Sequence, residues 1–389
     1  MAGMFQVEKL LSIIIFVAGL LEASKDNTDD GVRLVSHFTN NMVPKMLQAL
    51  TPGRENLVLA PFSAACSLAL MMEAVPGQAA QEAASALSSN IADLPKLRSG
   101  FATLLAEFQS TLEDDELAGT YMKANLLSTQ PLPKTFKDIL TNYYHANLTE
   151  NTNTNTSTGQ VLELLSDSGV MSHWKDYHKL AVYTYLSHQP ASPFQASRGR
   201  SIEVPMIPQV GVLRAGEFPR LNAHGVELLM EADHASLLLM MPDSVDGLDE
   251  LLVKLPKEKL NQLIKSLPFK ETEVALPQLA IVTSDLDLVP FFRQLGVKAA
   301  FSGDRKRTHV TTIKQNAYFS TSFVAVNSVG SVGSVLEFKA KSSRIKRSTS
   351  NPQTQIMTFD RPFLFFLIHR NSGTILLAGA VQNPTQVPH

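Results

Sequence analysis

The segment from Phe359 to Pro384 constrains the fold more than any other part of the chain. Two apolar runs, Phe363-Leu364-Phe365-Phe366-Leu367-Ile368 and Ile375-Leu376-Leu377-Ala378-Gly379-Ala380-Val381, flank Asn371-Ser372-Gly373. Short runs that are apolar at both odd and even positions read as strands buried on both faces, and Asn-Ser-Gly reads as the turn joining them. A strand pair of this kind needs cover on both sides, which the rest of the chain has to supply.

Helical spacing of apolar residues appears from Val32 to Leu50, Leu94 to Leu112 and Lys134 to Tyr144. Leu57-Val58-Leu59 reads as a short strand closed by Pro61. Ser63 is expected to cap a helix through Ala74, which Pro76-Gly77 ends, and another helix spans Gln78 to Leu87. A strand is expected at Tyr121 to Leu127. Further strands are expected at Val204 to Ile207, Val226 to Met230, Ser236 to Met241, Glu273 to Leu279, Tyr318 to Val326 and Phe363 to Ile368. Helices at Leu248 to Leu255, Leu260 to Ser266 and Ser284 to Leu295 interrupt them without regular βαβ alternation, so the class is α+β.

Nothing covalent is available to staple this fold. Cys66 is the one cysteine, so an intrachain disulfide and a cysteine-ligated zinc site are both excluded, and its apolar setting, Ala64 to Met72, fits a buried structural thiol. The core is adequate without staples, since 44% of the residues are hydrophobic. A net charge of −2 gives no global attraction to nucleic acid or to an anionic membrane. At the N-terminus, Lys9 precedes an apolar run from Leu10 to Leu21, and the small residues Ala23 and Ser24 follow. This pattern reads as a secretory signal, residues 1–23, leaving one domain over 24–389 with no membrane attachment after cleavage. Asn147-Leu-Thr149 and Asn155-Thr-Ser157 are glycosylation sequons in the polar tract Asn147 to Gly159, which reads as an exposed loop of a secreted glycoprotein.

The usual signatures of catalysis are missing. There is no Gly-x-Ser-x-Gly, His-Glu-x-x-His, Walker loop or dinucleotide Gly-x-Gly-x-x-Gly, so the chain is not read as an enzyme and no cofactor is expected. His173, His178 and His188 around Trp174 have no metal-ligand spacing, and no metal site is assigned.

Motifs distributed along the chain resemble those of the serpin family. The C-terminal segment resembles its Pro-Phe-Leu-Phe strand, Gly-Thr-Ile-Leu strand and final Asn-Pro. In the family's order there follow, from the N-terminal side, Asn56 to Ser63, the helix pair Met72 to Leu87, Lys123-Ala124-Asn125, Val204 to Ile207, Leu276 to Leu279, Leu295-Gly296-Val297 and Phe301-Ser302. The resemblance covers nearly all of the mature chain and suggests a divergent member, with an invertebrate type among the readings. It implies about eight or nine helices packed on three mostly antiparallel or mixed sheets, with an exposed reactive-centre loop at about 328–358.

It also implies a secreted suicide-substrate inhibitor, acting as a monomer on an extracellular serine protease. The hinge would comprise Ser328, Val329, Gly330, Ser331, Val332 and Gly333, with Glu337 beyond it. The bait bond would be Arg344-Ile345, or Arg347-Ser348 if a furin-like convertase is the target. Either arginine suits a pocket that carries a carboxylate.

Several positions depart from the family pattern. With Gly330 as the register mark, insertion into a sheet would turn Ser331, Gly333, Val335 and Glu337 inward and leave Val332, Leu336 and Phe338 in solvent, nearly the reverse of a favourable alternation. Ala60 replaces a serine, Ser320 stands at a customary histidine of the sheet-opening network, and in a strand at Leu180 to Leu186 Val182 replaces an asparagine, with Pro190 at a customary tryptophan. A serpin without inhibitory activity, serving as carrier, storage or signalling protein or as a protease substrate, is the alternative reading.

Overall fold

In the computed structural model, the described residues are 29–114, 119–151, 160–171, 191–229, 235–278, 280–302, 308–320 and 355–385. Among them are eight α-helices: α1 (29–50), α2 (Pro61–Ala74), α3 (Gln78–Ala86), α4 (Leu94–Asp114), α5 (Lys134–Tyr144), α6 (Leu248–Lys254), α7 (Leu260–Ser266) and α8 (Val289–Gln294). The early strands are β1 (Asn56–Leu59), β2 (Gly119–Ser128), β3 (Asn147–Glu150), β4 (Val161–Met171), β5 (Ser192–Ser197), β6 (Arg200–Val204) and β7 (Met206–Phe218). The later ones are β8 (Ala223–Leu229), β9 (Ala235–Pro242), β10 (Phe269–Pro277), β11 (Ala280–Asp287), β12 (His309–Ser320), β13 (Gln355–Thr358), β14 (Phe363–His369) and β15 (Ile375–Val381).

They form three sheets: an eight-stranded one ordered β1-β15-β14-β9-β8-β7-β10-β13, a five-stranded one ordered β11-β12-β4-β2-β3, and the pair β5-β6. The two apolar runs of the C-terminal segment become β14 and β15, antiparallel neighbours that β1 on one side and β9 on the other keep inside the large sheet, with every residue buried. Asn56 ties this end of the chain to β1, its Oδ1 accepting the N–H groups of Gln382 and Asn383 and its Nδ2 donating to the Asn383 carbonyl. Asn383 in turn donates to Glu55, and that bond, ahead of the one from Arg200, holds the Glu55 carboxyl below the usual range.

The two larger sheets share one core. Phe319 of β12 stacks on Phe365 of β14 with ring centroids 4.0 Å apart and 15° between planes. Helix α2 is buried almost all round because it lies inside this core, which is why its sequence is apolar on every side. Near its C-terminal end Glu73, its side chain almost wholly buried, is met by both ends of the Arg98 guanidinium. Cys66 is buried in the same helix, and burial pushes its thiol up to about 12, consistent with an inert structural role.

Several sequence expectations are corrected. Ser63 is not the cap of α2: the helix starts at Pro61, whose ring presets φ and whose missing N–H needs no partner, and Ala60 is the cap residue. The strand expected over Val204 to Ile207 is broken at Pro205, which has no N–H to donate and separates β6 from β7. The helix expected over Ser284 to Leu295 is a strand as far as Asp287. There Leu286 and Leu288 are buried in alternation, and a bulge at left-handed Asp285 (φ 52°) breaks the pattern before Pro290 opens the short α8.

Asn147 to Glu150 is an edge strand paired with β2 rather than loop, with Asn147 and Thr149 exposed. The strand placed at Tyr318 to Val326 begins earlier, at His309; residues 321–326 lie outside the described residues. Residues 355–358, placed at the end of the bait loop, form β13 beside β10. The expected strand Leu180 to Leu186, Val182, Pro190, the histidines around Trp174, the signal at 1–23 and Asn155 all lie outside the described residues.

Candidate functional site

Strand β12 leads into residues 321–354, and the chain re-enters the described structure at β13, in the other large sheet. The hinge residues Ser328 to Gly333, Glu337, and the bonds Arg344-Ile345 and Arg347-Ser348 all fall in the segment outside the described residues. What the structure describes is the sheet that the chain leaves at the end of β12. Its central seam is where β12 lies parallel to β4, in register from His309↔Val161 to Tyr318↔Gly169 with one shift between Val310 and Thr312.

That topology has a direct stereochemical consequence. A chain that leaves the end of β12 and folds back must run antiparallel to β12, and because β4 is parallel to β12 it runs antiparallel to β4 too. An incoming strand would thus exchange the slanted bonds of one parallel pair for two antiparallel ladders.

Both strands of the seam are anchored on their buried face to the start of α2. Ser168 of β4 bonds the Ser63 hydroxyl at 2.7 Å. Gln315 of β12 is 1% exposed and clamps Ala60 at both ends: its Oε1 accepts the Ala60 N–H and its Nε2 donates to the Ala60 carbonyl, each at 2.8 Å. Thr283 of β11 accepts the N–H of Val58 alongside, at 2.9 Å. On the outer face Asn316 Nδ2 donates to Asp167 Oδ1 across the seam at 2.7 Å.

Here the structure differs from the expected network. Gln315, five positions before Ser320, is the residue that meets Ala60, and Ser168 of β4 is the residue that meets Ser63. A side-chain amide can satisfy an N–H and a C=O together, so the clamp works without a hydroxyl at position 60. The signal was present in Ile313-Lys-Gln-Asn-Ala-Tyr-Phe319. Ile313, Ala317 and Phe319 mark the buried face by alternation, which makes Gln315 an inward polar residue that needs partners. Ser166 and Ser168 hid β4 in the same way, because small polar residues at inward positions erase the apolar alternation.

Comparison with known proteins settles the family. A family model described as Serpin (serine protease inhibitor) matches residues 33–163 and 186–384. The chain belongs to the serpin family. It is 26% identical to human Serpin B9 over 367 residues, covering 85% of this chain and 93% of that one. Serine protease inhibitor 2 of Anopheles gambiae is 22% identical over 364 residues, covering 85% and 87%.

Among solved structures, Serpin48 of the insect Tenebrio molitor superposes with a TM-score of 0.70 at 20% identity, over 90% of this chain and 98% of that one. Human thyroxine-binding globulin, solved in complex with thyroxine, gives 0.69 at 16% identity, over 92% and 100%. The α+β serpin fold inferred from the motifs is thereby established, and the family description is that of a protease inhibitor rather than a catalyst. The family match stops at 163 and resumes at 186, so most of β4, including Ser168 and Asp167, lies outside the matched residues.

Proposed function

We propose that this serpin is secreted and traps a serine protease that cleaves after a basic residue. The observation that carries the reading is the direct pairing of β12 with β4 immediately upstream of a segment containing Lys339, Lys341, Arg344, Lys346 and Arg347. The protease attacks the bait bond, its serine forms an ester with the carbonyl of the bait residue, and the new amino end departs. The freed strand then enters the β4/β12 seam, and the tethered protease is carried and distorted before water reaches the ester.

Arg344-Ile345 is the preferred bond for a trypsin-like enzyme and Arg347-Ser348 for a furin-like convertase. Residues 1–23 direct secretion, the remaining chain acts as one monomeric domain, and Asn147 and Asn155 carry glycans. Asn147 and Thr149 project together from an exposed edge strand, where an enzyme that adds a glycan can reach both.

A second reading is favoured by Glu337, which insertion would turn inward and leave as a buried carboxylate. In that case the protein is a protease substrate or a carrier, a role consistent with its likeness to a globulin named for binding thyroxine. Incubation with trypsin and with a furin-like convertase, followed by denaturing electrophoresis, separates the two. We expect an SDS-stable adduct with one of them and a new amino end at Ile345 or Ser348. Complete cleavage with no adduct at any ratio of protease to serpin contradicts the trap.

A further inference from the structure

The two anchors on the buried face tie β4 and β12 to α2. On the outer face, Asn316 and Asp167 tie the two strands to each other. They are register partners, and Asn316 Nδ2 donates to the Asp167 carboxylate at 2.7 Å. A bond from an amide to an ionised acceptor is stronger than a neutral one.

The donor is also held in place. Asn316 Oδ1 accepts the backbone N–H of Asp285 at 2.7 Å, from the β11 bulge where Asp285 is left-handed and its N–H is turned out of the ladder. Flipping the amide would break both bonds together. Lys314 pairs with the Asp285 side chain at 3.1 Å and holds the bulge from the side. Both members of the bridge are half-buried.

This bridge cannot survive insertion. A strand placed between β4 and β12 moves them from ~4.8 Å to ~9.6 Å apart, beyond the reach of these short side chains. Each backbone bond lost along the seam is replaced by one to the incoming strand. The side-chain bond is at most partly replaced, because of the residues that register assigns to the outer face, Val332, Ser334, Leu336 and Phe338, only Ser334 offers a donor or an acceptor.

We propose that Asn316 and Asp167 form a latch across the seam that sets how fast the cleaved loop enters the sheet, with Asn316 as the positioning residue and Asp285 as its support. The proposal rests on the insertion reading above. A slower entry gives water longer to reach the ester, so the latch also biases the outcome toward cleavage without an adduct.

The test uses the full-length protein nicked by trypsin, with the rate of insertion followed as acquired resistance to urea unfolding. Asn316→Ala and Asp167→Ala each accelerate insertion about tenfold, and the double variant is no faster than either, as expected when two residues share one bond. Asp167→Asn, which keeps size and hydrogen bonding but loses the charge, falls between them and the wild type. The coupling between positions 316 and 167 in thermal midpoint is present in the intact protein and absent once nicked, an effect that a purely structural role does not produce. Rates within twofold of wild type, with the nicked protein still gaining stability, overturn the latch and leave the insertion reading standing. If nicked wild type gains no stability, both fall.

Discussion

Replacing Gln315 with methionine lowers the stability of the intact protein by about 2 kcal/mol, because it strands the buried Ala60 N–H, at a cost of ~1–3 kcal/mol, and leaves the Ala60 carbonyl with only its bond from the Ala64 N–H. Methionine matches glutamine in length, so little of the loss comes from packing. The stranded N–H belongs to Ala60, the cap residue of α2, which the Gln315 amide holds in place through two bonds of 2.8 Å. Urea unfolding of the two proteins measures the difference. A loss below about 1 kcal/mol, the size of one ordinary solvent-replaceable hydrogen bond, means that the clamp does not hold the helix start.

A larger loss is expected from Gly379→Ala. A Cβ at this position would meet the Leu57 carbonyl of β1 and the ring of Phe365 on β14, so β15 has no room for a methyl on either side. Backbone must move to accept it, and overpacking where only backbone can yield reaches ~4 kcal/mol or more. The readout is the yield of soluble protein and, for what folds, the midpoint of unfolding. Phe365→Ala, which opens a cavity instead of closing one, is expected to lose ~3–5 kcal/mol while still folding. Normal stability of Gly379→Ala would mean that β1, β14 and β15 do not pack as described.

These two sites also mark what the sequence made legible. The strand pair around Gly379 was readable because both faces are buried and every residue says so; the motif that identified the serpin family lies in the same stretch. The elements of the seam were harder. Strand β4 carries Ser166 and Ser168 at inward positions, and the start of β12 carries threonines and a lysine among its apolar residues, so neither shows clean alternation. Their register depends on partners distant in the chain: Ser63 and Ser168 are 105 residues apart, Ala60 and Gln315 are 255. Local propensity cannot encode such pairings. The resemblance singled out Ser320, whereas the β12 residue bonded to Ala60 is Gln315.

One departure from the family pattern is compensated within the seam. Ala60 reads as a lost hydroxyl in the sequence, but the Gln315 amide supplies its two backbone groups with partners, so the anchoring function at this point is retained by other chemistry. The alternation of the loop itself is not changed by this compensation, and in the proposed insertion Glu337 is the inward residue most opposed to entry.

The central claim is that the β4/β12 seam receives the cleaved loop, and thermal unfolding before and after cleavage at Arg344 or Arg347 tests it most directly. Insertion adds a strand between two existing ones, and a net gain of about 5 kcal/mol, at ~2 °C per kcal/mol for a large domain, raises the midpoint on the order of 10 °C. A midpoint that stays level or falls on cleavage contradicts insertion and leaves a serpin whose loop is cut without entering the sheet.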